Sequence, residues 1–431
     1  MVRTALFLMG LTIALPAAAV NLQVYTESDG ITPVWLLEPQ PGSFYENGIG
    51  APTVTYDDVT STYVMLFETR LPDSYIATLP GDYTGCGSIW AFGRATSPDG
   101  LNWSVTGTDP VVIPQPGSYF GCMVGHPNVV RDNGTLHLWF KADDATGQRG
   151  VGYATSTDEG LTWTYSTDPV IQITGFGFPT VAKVDDTWYM LLAKVPSLHL
   201  ATSQSPDKDW AMLSTPVFDP GRAQWMEDRV YGPSLTCEPA GATYALTAHF
   251  GGKDCAVGDG ACNPPNASGL GRAWSNDGVT WWLDTSASPA FQWVGDQVWN
   301  HWSILRAGSD YLVWFTQKNS AGQNRIGFAT TNFSWADADV ASRICTAVVD
   351  TGDTGSGTDT GTETETETAS DTGTDSSTGS DSTTDIDTGT GSDTDTGEIG
   401  GGCCSTTGGT ALGFGWVALL GAIALGRRRR A

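Results

Sequence analysis

Short apolar runs alternate with clusters of Asp, Gly, Asn and Pro along the chain up to about residue 349. No stretch in this region sustains the 3.6-residue period of an amphipathic helix, and short apolar runs between turn residues are typical of β-strands. Five runs are especially rich in β-branched and aromatic residues: Tyr63 to Phe67, Leu136 to Phe140, Trp188 to Leu192, Tyr244 to Ala248 and Tyr311 to Phe315. The pattern therefore predicts an all-β domain.

A turn motif follows each of these runs. It reads Ser-x-Asp-Gly-x-x-Trp from Ser97 to Trp103 and recurs with small changes from Ser156 to Trp163 and from Ser275 to Trp281. Degenerate copies occupy Ser203 to Trp210 and Thr330 to Trp335. Repetition at intervals of about 40–70 residues indicates similar units that bury their apolar faces against one another. Four strands in each of five units predict a five-bladed β-propeller of antiparallel strands.

The ends of the chain differ from this domain. Residues 1–19 carry one charge, an apolar stretch and three alanines, which predicts a secretory signal peptide cleaved after Ala19. The propeller is then expected over residues 20–349. Residues 350–400 consist mainly of Thr, Ser, Gly, Asp and Glu, which predicts a disordered linker. Residues 401–431 form a separate tail with a short hydrophobic helix.

The tail contains Cys403 and Cys404, an apolar run from Ala411 to Gly426 and four arginines. It resembles the MYXO-CTERM sorting signals of surface proteins in myxobacteria and related Gram-negative bacteria. The resemblance implies processing near Cys403 or Cys404 and display at the cell surface or outer membrane. An ordinary C-terminal membrane anchor is the alternative, although the apolar run is shorter than the roughly 20 residues of a typical span. In both cases the protein is exported and meets the membrane only through the tail.

Export to an oxidising compartment predicts disulfides rather than metal ligation for the cysteines of the globular part. The expected pairs are Cys86–Cys122 on loops of one face, Cys255–Cys262 within an inserted loop and, by elimination, Cys237–Cys345.

No metal or cofactor is predicted, with calcium at Asp254 and Asp259 as a lesser alternative. Much of the formal net charge of −26 comes from the linker. Because the rest of the chain lacks a basic patch apart from the terminal arginines, nucleic acid is not expected as a partner.

Over residues 21–349 the repeated units resemble the five-bladed glycoside hydrolases. This group includes the arabinanases and β-xylosidases of family 43, the β-fructosidases of family 32 and the related mannoside phosphorylases. The resemblance implies a carbohydrate ligand and hydrolysis by two carboxylates, with retention or inversion. An Asp commonly precedes the proline of a first strand in these enzymes. Here the positions before proline hold Ala51, His126, Phe178 and Gly232, so the catalytic residues of the family are not transferred.

The turn motif also resembles the Asp-box of sialidases. Those enzymes need three arginines around a carboxylate and normally have six blades. Because no arginine triad is evident in the sequence, a sialidase-like function is the least favoured alternative.

Polar residues are expected around the channel. If the protein is catalytic, Glu227 is the predicted proton donor, with Glu46 or Asp228 as its partner. Aromatic faces and planar polar groups suit sugars, and the predicted substrate-binding residues are Glu68, Arg70, His126, Lys141, Asp143, Lys194, Arg229, His249, Asp296, His301, Trp225 and Trp299.

Structural explanations for several of these residues stay open. Glu227 to Arg229 can form a local salt-bridged loop, and Glu68 with Arg70 a structural pair. His126 can be a loop residue hydrogen-bonded to backbone, and His249 a structural histidine with its hydrogen bonds satisfied.

Two functions therefore remain. One is a surface-displayed glycoside hydrolase-like protein that acts on extracellular carbohydrate. The other is a non-catalytic, monomeric propeller that binds glycans or other surface partners.

Overall fold

The computed structural model describes residues 22–29, 33–147, 149–173, 175, 177–194, 196–240, 242–253, 269–285, 291–292, 301–335 and 337–346. The signal peptide, the linker and the tail with Cys403 and Cys404 lie outside these residues. So do four smaller predictions: the Cys255–Cys262 pair, the calcium ligands Asp254 and Asp259, and the sugar-binding residues Asp296 and Trp299.

The described part of the chain is almost entirely β-structure. It contains one short helix, α1 (Asp73–Ile76), and two 3₁₀ turns, Gln224–Met226 and Asp337–Asp339. None of its helices is long and apolar enough to cross a bilayer. The strands are β1 (Gln23–Val24), β2 (Trp35–Leu37), β3 (Gly50–Asp57), β4 (Thr62–Arg70), β5 (Trp90–Ser97), β6 (Ser104–Val105), β7 (Met123–Asp132), β8 (Thr135–Asp143), β9 (Arg149–Ser156), β10 (Thr164–Tyr165), β11 (Ile171–Gln172), β12 (Gly177–Val184), β13 (Thr187–Lys194), β14 (Ser197–Ser203), β15 (Ala211–Met212), β16 (Arg229–Cys237), β17 (Leu246–Lys253), β18 (Gly269–Ser275), β19 (Trp282–Leu283), β20 (Phe291–Gln292), β21 (Trp302–Ala307), β22 (Asp310–Lys318), β23 (Asn324–Thr330) and β24 (Ile344–Cys345).

The strands form antiparallel repeats that follow the sequence motif. Repeat 1 comprises β3–β6, repeat 2 β7–β11, repeat 3 β12–β15, repeat 4 β16–β20 and repeat 5 β21–β23. Repeats 1 and 2 belong to one nine-stranded sheet because Trp90 and Met123 form a parallel pair. Strands β1 and β2 pair with β23, so the N-terminal segment supplies outer strands to repeat 5. The last strand, β24, runs parallel to β12 of repeat 3.

The Ser-Asp-Gly-Trp turns are stabilised locally, as the sequence predicts. In repeat 2, Asp158 Oδ1 accepts hydrogen bonds from the backbone N–H groups of Leu161 and Thr162. The indole of Trp163 donates to the carbonyl of Gly160 at 3.1 Å. Hydrogen bonds from Thr162 hold the pKa of Asp158 at about 2, which keeps this carboxylate charged in its turn. Equivalent bonds form at Asp99 and Asp277.

The first strands of the repeats contact one another in a cycle, in the order β3, β7, β12, β16, β21 and back to β3. The polar side chain immediately before the aligned apolar residue of a first strand connects that strand to the first strand of the next repeat. Each accepts a hydrogen bond from a backbone N–H of the following first strand: Val129 N to Thr53 Oγ1 at 3.0 Å, Val181 N to Asn128 Oδ1 at 2.9 Å, Leu235 N to Thr180 Oγ1 at 2.9 Å and Val54 N to Ser303 Oγ at 2.9 Å.

Apolar clusters lie between each pair of successive repeats and between repeat 5 and repeat 1. Aromatic rings meet in all of these interfaces, so the apolar face of each sheet is buried against its neighbours. The ring pairs are Tyr63–Trp314, Phe92–Phe140, Trp139–Trp188, Phe218–Phe250 and Tyr231–Trp302.

Two of the expected disulfides are confirmed. Cys86 and Cys122 are bonded with their Cα atoms 5.3 Å apart. Cys237 at the end of β16 is bonded to Cys345 in β24, with a Cα separation of 5.9 Å. The second bond ties the end of the described domain to repeat 4.

Candidate functional site

The residues before the entry prolines share an unusual backbone conformation. The φ angles are 41° at Ala51, 51° at His126, 57° at Phe178 and 53° at Gly232. Each of these first strands has a register shift at the proline, which lacks the N–H needed to continue the ladder. Positive φ is unfavourable for residues with a Cβ, so the surrounding structure has to hold this conformation.

Side chains from the preceding repeat hold two of these bulges. The N–H of Ala51 donates to Thr316 Oγ1 of repeat 5 at 2.9 Å. In the same way, the N–H of His126 donates to Glu68 Oε2 of repeat 1 at 2.9 Å. Glu68 and Thr316 occupy equivalent positions on the second strands of their repeats. Each lies two residues after the residue that pairs with a linking side chain, because Leu66 pairs with Thr53 and Trp314 pairs with Ser303. Glu68 therefore has a structural role that a hydroxyl fulfils in another repeat.

The bulges converge on a cavity of about 30 Å³. This volume accommodates about one or two waters and is too small to enclose a sugar. None of the lining residues in the described part of the chain is acidic: Ala51, Pro52, Thr53, His126, Pro127, Asn128, Phe178, Pro179, Thr180, Gly232, Pro233, Ser234, His301, Trp302, Ser303 and Arg343.

Three rings of the lining form one aromatic cluster. The centroid of His126 lies 3.8 Å from that of Phe178 and 4.8 Å from that of His301, and Phe178 lies 5.0 Å from His301. All three planes are within 29° of parallel. Burial lowers the pKa of His301 to about 4. Burial, with His301 and Lys141 nearby, also places the pKa of His126 well below its ordinary value. Both imidazoles are therefore neutral at neutral pH.

Glu68 is the carboxyl group nearest to this cluster among the described residues. Its side chain is 5% exposed, and Oε2 lies 3.5 Å from Nδ1 of His126. Burial raises the pKa of Glu68 to about 7, against the smaller opposing effects of the His126 N–H and Lys141. A carboxyl group with such a pKa exchanges its proton near neutral pH.

Glu68, His126 and His301 each offer one donor atom within 4.8 Å of the others. Their arrangement does not suit a metal ion, however. The two imidazole planes are within 29° of parallel at a centroid distance of 4.8 Å. Their in-plane lone pairs therefore do not converge on a point that is close to both rings.

The predicted catalytic residues lie away from the cavity lining. Glu227 is exposed, and Asp228 forms an ion pair with the adjacent Arg229 at 2.5 Å. Glu46 accepts a hydrogen bond at Oε2 from Gly42 N at 2.7 Å.

The predicted substrate-binding residues are more widely distributed. His126 and His301 line the cavity, and Glu68 contacts His126. Trp225 and His249 are buried, the first against Phe250 and the second against Tyr311. The remaining described members are partly or fully exposed polar residues: Arg70, Lys141, Asp143, Lys194 and Arg229. Within this group, Lys141 Nζ lies 3.6 Å from Asp143 Oδ2.

Of the sixteen described lining residues only His126 and His301 were predicted as site residues, and two of the others are Phe178 and Arg343. Phe178 occupies the position before proline, so alignment of the repeats is the signal that points to it. Arg343 follows the last repeat and has no such signal. Its place in the cavity lining depends on the path of the chain after repeat 5.

The all-β repeats and the cavity at their first strands define a glycosidase-like propeller fold. A glycosyl hydrolase from Bacteroides ovatus has a similar structure, with a TM-score of 0.53 and 16% identity over 71% of this chain and 93% of that chain. The β-1,2-mannobiose phosphorylase of Listeria innocua is also similar, with a TM-score of 0.51 and 15% identity over 72% of this chain and 96% of that chain. At these identities the likeness shows the fold alone. No family profile and no curated protein sequence matches the chain.

Replacement of Glu68 by Gln is expected to change the pH dependence of stability. The pKa of Glu68 is about 7 in the folded protein and 4.5 in the unfolded chain. Between pH 4.5 and pH 7 the folded state therefore retains a proton that the unfolded state has released. The contribution of this carboxyl is full below pH 4.5 and is lost as pH rises to 7. The two histidines have lowered pKa values, so their contribution is instead lost as pH falls below their ordinary value.

The effect of Glu68 can be isolated by urea unfolding at several pH values. From pH 4.5 to 7.5, the free energy of unfolding of Glu68→Gln relative to the unchanged protein is expected to rise by about 3 kcal/mol. Thr316→Val removes the equivalent hydrogen bond to the N–H of Ala51, and Thr316 does not titrate. The difference in free energy of unfolding between Thr316→Val and the unchanged protein should therefore not vary with pH. A constant difference for Glu68→Gln would contradict the raised pKa.

Proposed function

We propose that the protein is an exported, surface-displayed five-bladed propeller that binds extracellular carbohydrate at its central cavity. The antiparallel repeats, the cyclic contacts of their first strands and the apolar clusters between them support five blades. The signal-peptide pattern and the MYXO-CTERM-like tail support export and display by a Gram-negative cell. Carbohydrate as the ligand is supported by the glycosidase and phosphorylase folds that the structure resembles.

The residues that line the central cavity favour binding over hydrolysis. Glycoside hydrolysis of the usual kind requires two carboxyl groups on either side of the scissile bond. The positions before proline hold Ala51, His126, Phe178 and Gly232, and His301 occupies the corresponding place in repeat 5. The described cavity lining thus provides no acid pair. This absence of carboxylates is the observation that carries the proposal.

The ring cluster provides a chemically suitable surface for a sugar. Its cavity is too small to enclose a ring, so the glycan would lie across the mouth, against the faces of Phe178 and the two imidazoles. Aromatic faces pack against the C–H surfaces of sugars, and neutral imidazoles exchange hydrogen bonds with hydroxyl groups.

A second candidate function is glycosyl transfer with a single acid. The raised pKa of Glu68 favours it, because a carboxyl protonated near pH 7 can donate to a leaving oxygen. In this reaction the attacking group would be an external nucleophile, such as inorganic phosphate, so no second carboxylate is needed. The burial of Glu68 and its bond to the His126 N–H weigh against it.

Glycan binding is tested with the purified protein on an array of plant and microbial oligosaccharides, followed by calorimetric titration of the best ligand. Phe178→Ala is expected to weaken binding by at least about tenfold, equal to about 1.4 kcal/mol, because it removes a sugar-facing ring. Trp282→Ala is the matched control, since Trp282 is 45% exposed and lies outside the cavity lining. Equal losses in both variants, or no ligand on the array, would refute the assignment.

A further inference from the structure

A buried guanidinium lies in the lining of the central cavity. Arg343 is 3% exposed. Its Nη2 donates to Ser303 Oγ and to the carbonyl of Ile304, both at 3.2 Å. Among the described residues, Nε and Nη1 have no hydrogen-bond partner and no carboxylate forms an ion pair with this side chain. A buried charge without a partner is costly, so the site calls for a counter-ion.

The backbone on both sides of Arg343 is fixed. The carbonyl of Arg343 accepts a hydrogen bond from Lys183 N at 2.8 Å. The next residues, Ile344 and Cys345, pair in parallel with β12. Cys345 is also bonded covalently to Cys237 of repeat 4. The main chain at Arg343 is therefore anchored, and the hydrogen bonds of Nη2 to Ser303 and Ile304 orient the guanidinium.

Other side chains of the same lining have hydrogen-bond donors to offer. The side-chain oxygens of Thr53, Thr180 and Ser303 each accept a backbone N–H of the next repeat, which leaves their hydroxyl protons to be donated. Asn128 uses its Oδ1 in the same way and retains its amide protons. Ser234 Oγ is buried and has no hydrogen-bond partner in the part of the chain that the structure describes. All these side chains line the same cavity as Arg343.

We propose that this cavity binds a small monovalent inorganic anion, with chloride as the physiological ligand, between Arg343 and the surrounding hydroxyl and amide donors. The convergence of one cation and several hydrogen-bond donors, without an acidic residue in the lining, matches an anion and opposes a cation. A volume of about 30 Å³, which holds one or two waters, admits an ion of this size and is too small to enclose a sugar. The anion site uses Arg343 and the donor side chains, whereas the proposed carbohydrate contact uses the rings of His126, Phe178 and His301 in the same lining, so each can exist without the other.

The proposal is tested by thermal unfolding of the purified protein in sodium chloride and in sodium gluconate at equal ionic strength. Chloride is expected to raise Tm by about 3–5 °C with a saturable dependence on concentration, because it binds only the folded state. Arg343→Gln should abolish the difference between the two salts. Arg325→Gln, which removes an arginine paired with Glu38 outside the cavity, should retain it. Equal Tm values for the unchanged protein in both salts would overturn the proposal.

Two further measurements remain informative if Arg343→Gln does not fold. Ser234→Ala removes an unpaired hydroxyl with little change in volume, and it should weaken the apparent chloride affinity several-fold. Crystals grown in sodium bromide should show an anomalous peak beside Nε and Nη1 of Arg343. An unchanged affinity in Ser234→Ala together with the absence of that peak would refute the site.

Discussion

Replacement of both Cys237 and Cys345 by Ala is expected to lower the free energy of unfolding by about 4–5 kcal/mol. The bond joins residues that are 108 positions apart, so its loss releases a long segment of the unfolded chain. Loss of the bond also releases β24, the strand next to Arg343, from its covalent link to repeat 4. Urea unfolding under non-reducing conditions measures the loss.

The second disulfide offers a matched comparison. Cys86 and Cys122 are separated by 36 positions, so their replacement by Ala should cost about 1 kcal/mol less in the same assay. A cost for the Cys237–Cys345 pair that is equal to or smaller than that of Cys86–Cys122 would show that β24 contributes little to closure of the fold.

Gly271→Ala is expected to destabilise the protein by about 3 kcal/mol, near the upper end for overpacking a core. A Cβ at this position would lie 2.0 Å from Cη2 of Trp225. A Cβ at Gly252, on the same face of the β17–β18 pair, would lie 2.4 Å from Cζ3 of Trp225, so the indole packs directly on the backbone of both strands. The midpoint of urea unfolding, followed by tryptophan fluorescence, measures the effect.

Gly87→Ala is the control for this substitution. A Cβ on Gly87 would meet no atom within 4 Å, so its free energy of unfolding should change by less than about 0.5 kcal/mol. If Gly271→Ala were equally neutral, the packing of Trp225 in the core of repeat 4 would be wrong.

The sequence is informative about the fold because the signals for it are local. The Ser-Asp-Gly-Trp turns are stabilised within eight residues, so the roles of Asp158 and Trp163 follow from the motif itself. The segment Val34 to Pro39 also resembles the last-strand segments of other repeats in sequence, and its strand β2 pairs with β23 as an outer strand. Both predicted disulfides that lie in the described residues are confirmed.

The site is harder to predict because it depends on contacts between distant segments. The indole of Trp225 is buried since Gly252 and Gly271 leave space for it, and neither glycine is close to it in sequence. Glu68 becomes part of the site through the N–H of His126, which belongs to the next repeat. Arg343 reaches the cavity through pairing of β24 with repeat 3 and its disulfide to repeat 4. Periodicity carries no information about such contacts.

The residues before proline at the cavity bear directly on function. The fold of carbohydrate-active enzymes is present, while the positions before proline are apolar, glycine or imidazole rather than acidic. The strained backbone at Ala51, His126 and Phe178 is nevertheless kept. Because such strain is costly, its presence at three non-glycine residues is consistent with a surface that still binds a ligand.

Measurement of sugar release during incubation with the bound glycan tests this account most directly. The purified protein is mixed with the oligosaccharide identified on the array, with and without inorganic phosphate, and new reducing ends and sugar phosphates are quantified. Our account predicts saturable binding with no product at any time. Product that forms with the unchanged protein and disappears in Glu68→Gln would contradict it and establish single-acid catalysis. Product that disappears instead in Glu227→Gln would contradict it in favour of hydrolysis at repeat 4.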